Sequence, residues 1–166
     1  MKKFLAILII IVLVISMNSC NYKDTYEAGN YTKYDCLNIY KKNKDLFTKT
    51  ADIILSSSKF YDSRQKGSNH ADIFSPNRGQ KKYFKDEDWK IILKLFKTSP
   101  YELSRAYPDV VEVNYISKDY KQINEPDGFG FVYFKDENAI SENMSFYTQT
   151  YPVTKLDEHW YFICHL

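Results

Sequence analysis

The amino-acid order predicts an α+β domain: a long N-terminal helix and a second helix packed on one face of a four- to five-stranded antiparallel meander sheet. Three observations carry that expectation. Apolar residues recur at three- and four-residue spacing through residues 35–59, and Trp89, Ile92, Leu93 and Phe96 repeat the spacing further on. After Pro108 the period changes to two, first over Val111, Val113 and Tyr115, then over Phe129, Phe131 and Tyr133.

The chain opens on Lys2 and Lys3, an apolar run from Phe4 to Met17, then Asn18, Ser19 and Cys20. A membrane-spanning helix needs about 20 apolar residues, so this run is too short and reads as an export signal. Residues 21–34 are polar with scattered tyrosines and no period, as a tether would be, and Cys20 to Tyr34 could extend to about 45 Å. Asp35 offers a cap for the first helix, which buries Cys36, Ile39, Tyr40, Leu46, Phe47, Ile53 and Ile54 and exposes Lys41, Lys42, Lys44, Asp45, Lys49 and Asp52. Residues 62–80 concentrate Ser, Asn, Gly, Pro and charge, and read as the longest loop.

Asp86, Glu87 and Asp88 place negative charge at the start of the second helix, and Lys94 and Lys97 suit its end. Ser99, Pro100 and Glu102 match a capping box, which predicts a short helical turn to about Ala106. Pro126, Asp127 and Gly128 predict a turn, as do Lys135 to Asn138. A strand is expected over residues 144–151, and Asp157 with Glu158 should turn the chain into a last strand, His159 to Leu166.

The residues before Cys20 resemble a bacterial lipobox, with Met17, Asn18 and Ser19 in its first three places. That resemblance implies cleavage before Cys20, a diacylglycerol on its thiol, and a domain held outside the cytoplasm on the cell membrane or an outer membrane. An uncleaved signal anchor and a secreted form are the competing readings. The order of elements over residues 35–166 is similar to that of cystatin-like and nuclear-transport-factor-like folds, a likeness that carries no function. The chain also resembles small bacterial lipoproteins that end in a tryptophan-tyrosine strand, here Trp160 and Tyr161.

Cleavage would leave 147 of the 166 residues, enough for one domain with a real core. It would also remove Lys2 and Lys3, so that 21 basic residues face 21 acidic ones. A near-neutral domain lacks the basic footprint of a nucleic-acid binder. Charge is still uneven: Arg64, Lys66, Arg78, Lys81, Lys82 and Lys85 precede the second helix, and Asp119, Glu125, Asp127, Asp136, Glu137 and Glu142 lie downstream.

Cys36 and Cys164 are the thiols left if Cys20 is lipidated, and they are either one disulfide or two buried free thiols. A bond would stabilise the fold by about 5 kcal/mol in the chain-entropy model. No catalytic signature stands out. His70 and Asp72, with Asp62 near them, fit a solvated loop better than a metal or acid-base site. His159 and His165 would stand about 20 Å apart on one strand, too far to share an ion. Cys164 and His165 are neighbours in a strand and so face opposite ways.

No cofactor or metal is expected. With 15 Tyr and 11 Phe, the aromatic excess reads mainly as core, and Tyr101, Tyr107, Tyr120, Tyr147 and Tyr151 are the candidates for an exposed binding face. The leading expectation is a non-enzymatic, membrane-anchored domain that binds a protein or cell-wall component. The alternatives are an immunity or inhibitor protein at the envelope and a small hydrolase.

Overall fold

The computed structural model describes residues 30–62, 71–73, 78–117 and 127–165. Cys20, His70 and Tyr120 lie outside them. In chain order the elements are β1 (Asn30–Tyr31), α1 (Lys33–Ser56), α2 (Ser58–Asp62), β2 (Ala71–Ile73), α3 (Arg78–Lys81) and α4 (Asp86–Phe96), then β3 (Glu102–Tyr107), β4 (Val110–Ser117), β5 (Gly128–Phe134), α5 (Glu137–Thr150), β6 (Val153–Lys155) and β7 (Trp160–His165). The α+β class holds. The sheet runs β2-β3-β4-β5-β7-β6, antiparallel throughout, with the two-residue β1 added in parallel to the end of β4. The expected tether therefore gives its last residues to the sheet and to α1, and the 62–80 loop contributes β2 and α3.

Thr32, rather than Asp35, caps α1. Its hydroxyl accepts from the Asp35 amide at 3.1 Å and its own amide donates to the Asp35 carboxylate at 2.9 Å, a reciprocal box that starts the helix before the expected residue. The predicted apolar face of α1 is the buried one, through Cys36, Tyr40, Phe47, Ala51 and Ile54. It packs on the β4, β5 and β7 side chains that share one face by alternation. Val113 lies opposite Phe131 and Phe131 opposite Phe162, so the three side chains share one face of the ladder and the two phenyl rings meet edge to face at 5.2 Å. Tyr40 stacks on Phe131 at 5.2 Å, Phe47 meets its edge at 5.3 Å, and the Trp160 indole N–H donates to Thr48 at 3.1 Å. Helix α4 adds Trp89, Ile92, Leu95 and Phe96 to this core.

The turn at residues 156–159 is tied to α1. The Asp157 carboxylate accepts from the Tyr40 hydroxyl at 2.7 Å, from Lys44 at 2.8 Å, and from the His159 and Trp160 amides at 2.9 Å each. Desolvation pushes its pKa up, but the combined hydrogen bonds from Lys44, Tyr40 and the two amides outweigh it and hold the carboxyl at about 2.

Three expectations are corrected. Residues 102–107 are strand β3, not a helical turn. Ser99 adopts a left-handed φ of 57° and its amide closes the end of α4 on Phe96, so the residue before Pro100 reverses the chain instead of capping a helix. Residues 144–150, expected in a strand, belong to helix α5, which runs from Glu137 to Thr150. Asp136 accepts from the Ala139 amide at 3.0 Å, and Ala139, Ile140, Met144 and Tyr147 fall at helical spacing. The helices also do not share one face. Helix α5 lies on the opposite side of the sheet from α1 and α4, against Val110, Val132, Phe134, Tyr161 and Ile163. It interrupts the meander between β5 and β6, and β7 rather than β6 pairs with β5.

Candidate functional site

Helix α5 is 14 residues long and covers only the apolar half of its sheet face. The other half is polar, and the register explains why. Glu102 of β3 lies opposite Asn114 of β4, Ser104 opposite Glu112, Asn114 opposite Gly130 of β5, and Gly128 opposite His165 of β7. These side chains alternate with the core residues Leu103, Val111, Val113, Tyr115 and Phe129, so they must point to the second face. Two adjoining depressions of about 430 and 360 Å³ form there and share Glu102 and His165 as walls. Tyr101 and Asp127 border one; Tyr107, Phe146 and Tyr151 border the other.

The two glycines shape the floor. A Cβ on Gly130 would come within 2.7 Å of both the Asn114 side-chain oxygen and Ile163, and one on Gly128 within 2.6 Å of the Tyr115 carbonyl. Asn114 can lie flat across the sheet because position 130 has no side chain.

A hydrogen-bonded chain runs along the groove. The Asn114 amide nitrogen donates to Glu102 at 3.4 Å and to Glu112 at 3.3 Å, and the Tyr147 hydroxyl donates to the other Glu112 oxygen. Carboxylates only accept, so the NH₂ group of Asn114 faces them and its oxygen faces His165 Nε2 at 3.3 Å. His165 therefore carries its proton on Nε2. Burial lowers its pKa, against the opposing pull of Glu112 and Asp127, so the ring is neutral at pH 7. Burial first, then the Glu112 charge and hydrogen bond, drive the Tyr147 phenol far above its ordinary pKa, which keeps it a donor. The Tyr151 ring stands edge-on to His165 at 4.9 Å.

The tyrosines singled out from the sequence divide by location. Tyr101 is 44% exposed and, with Tyr107 and Tyr151, lines the groove, whereas Tyr147 is buried beneath it. His165 and Cys164 do face opposite ways, His165 into the groove and Cys164 against the α1 core. His159 sits in the turn before β7, with its ring Nδ1 3.0 Å from the Phe134 carbonyl. Cys36 and Cys164 are both free thiols. Burial, then the charges of Asp35 and Cys164, pushes the Cys36 thiol up to about 12. Asp72 pairs with Ser104 in the β2–β3 ladder, and its expected companion His70 is outside the described residues.

Glu102, Ser104, Glu112 and Asn114 were not among the sequence candidates. The signal was present in β4, where Glu112 and Asn114 alternate with valines. Such a polar stripe reads as solvated unless a wall stands over it, and the wall is the helix that was expected to be a strand. Among the described residues no three His, Cys, Asp or Glu side chains converge as metal ligands, and no helix is long and apolar enough to cross a membrane. Comparison of the chain with protein-family models, with curated proteins and with solved structures finds no match in any of the three.

Proposed function

We propose that this chain is a lipid-anchored, non-enzymatic domain held outside the cytoplasm, and that it binds a protein or cell-wall partner over the uncovered half of its second sheet face. The observation that carries the reading is that half-open face, where a polar groove with aromatic edges is left beside a helix that seals the rest. Aromatic side chains flanking polar groups are the usual make-up of a recognition surface. The Lys2-to-Cys20 pattern supports the anchor.

The groove groups are held as acceptors and donors to one another, which favours binding over turnover. Both Glu112 oxygens and the His165 Nε2 already have partners. A second reading, a small hydrolase, draws on the placement of Glu102 and Glu112 within reach of one amide nitrogen beside His165, since paired carboxyls can divide acid and base roles.

Two measurements test the proposal. Radiolabelled palmitate should enter the wild-type chain and not a Cys20→Ala variant; equal labelling removes the anchor. A photo-crosslinking residue at Tyr151 should give one discrete adduct in native membranes, while the same residue at Tyr34, 73% exposed on α1, should not. Identical patterns at the two positions would refute the binding face.

A further inference from the structure

We infer that the groove is a saccharide site, taking an uncharged sugar laid along the second face past Ser104, Glu112 and His165. The inference rests on the reading that this face binds, and it names the chemistry of what is bound.

The first argument is an unmet group. The Ser104 side chain lines one depression, is 3% exposed, and makes no hydrogen bond among the described residues. A buried hydroxyl without a partner is costly, so a ligand group that can both donate and accept belongs beside it.

The second is the inventory around that hydroxyl. Each Glu112 oxygen accepts one hydrogen bond, from Asn114 or from Tyr147, and a carboxylate oxygen has room for another. His165 gives its Nε2 proton to Asn114, which leaves Nδ1 an acceptor. Sugar hydroxyls donate to these acceptors and exchange hydrogen bonds with Ser104 at the same time. Such contacts form whether or not the neighbouring Glu102 is paired with a cation. The charges of Glu112 and Asp127 disfavour an anionic sugar.

The third is shape. The two depressions, about 430 and 360 Å³, adjoin at His165 and form a trough rather than one compact pit, and both sizes are ordinary for a ligand site. Tyr107, Phe146 and Tyr151 border one and Tyr101 the other. The Tyr107 and Phe146 rings stand at 73° to each other, so they do not cover one another's faces. The slightly positive C–H groups of a sugar ring pack on such faces. A polypeptide fits less well. An extended peptide docks by adding a strand to an open edge, whereas β3, β4, β5 and β7 beneath the groove are paired on both sides.

The test is isothermal titration of the full-length protein in a polyoxyethylene detergent, which carries no sugar. Maltotetraose, cellotetraose, chitotetraose and mannotetraose are the neutral probes and tetragalacturonate the anionic one. At least one neutral probe should bind saturably, and tetragalacturonate more weakly than it. Ser104→Ala should weaken that binding about two- to tenfold, the size of one hydrogen bond, without lowering the melting temperature of the free protein, because the hydroxyl it removes has no partner to lose. Phe146→Ser, at a ring 48% exposed, should weaken it several-fold through lost stacking. Equal affinity for the matching monosaccharide assigns a small soluble sugar; tighter binding of the tetramer assigns a polymer that fills both depressions. No neutral probe half-saturating by about 10 mM, tetragalacturonate binding as tightly as any neutral probe, or unchanged affinity in both variants would overturn the inference. A discrete protein adduct at Tyr151 together with failed titrations would leave the binding face standing and remove only the sugar.

Discussion

Replacing Asp157 with asparagine tests how the β6–β7 turn is held to α1. The native carboxyl is about 2 in place of an ordinary 3.8, and its side chain is 21% exposed, so little of the effect is screened by solvent. At about 1.4 kcal/mol for each pH unit of that difference, the ionised carboxylate contributes about 2 kcal/mol to stability. A depressed carboxyl pKa stabilises the fold fully above the unfolded value and loses that stabilisation as pH falls towards the folded one. The gap between wild type and Asp157→Asn should therefore be about 2 kcal/mol at pH 7, about 1 at pH 3 and about 0.5 at pH 2. Urea unfolding followed by tryptophan fluorescence measures it, because Trp160 lies next to the turn in sequence. A gap of the same size at pH 7 and pH 3 would show that the charge is not what holds the turn.

Truncating Phe131 to alanine should cost about 3–5 kcal/mol in the same assay, because it removes the ring that Tyr40, Phe47 and Phe162 all meet. Gly128→Ala should destabilise more than Gly130→Ala, within a range of about 1–3 kcal/mol, since the former meets the backbone of Tyr115 and the latter meets side chains that can move; the reverse order in thermal melts would contradict the packing. A thiol reagent at pH 8 should modify the half-buried Cys164 and reach Cys36 only after denaturant is added. Finding no free thiol at these positions after denaturation without reductant would show them bonded.

Much of the α1 side was legible in the sequence, because one periodicity dominated each element there. Cys36, Tyr40, Phe47 and Ile54 kept helical phase, and Val111, Val113, Phe129 and Phe131 kept strand phase against them. The Asp157–Glu158 turn was legible too, since an aspartate that accepts from amides two and three residues ahead is a local feature. The second face was not. Residues 99–102 satisfy a capping pattern, but the pairing of β3 with β2 and β4, a non-local interaction, decides their conformation. Met144, Phe146, Tyr147 and Tyr151 fit either period when read alone, and the Asp136 cap that settles the matter lies eight residues upstream of Met144. With α5 unrecognised, Glu112 and Asn114 had no reason to stand out from an ordinary solvated stripe.

The outermost strands of the sheet, β2 and β6, are only three residues long, and β6 ends in Lys155. So short a ladder offers few open amides and carbonyls, and a terminal positive charge discourages a second ladder from aligning with it. Neighbouring copies would thus gain little by joining rim to rim into continuous sheets.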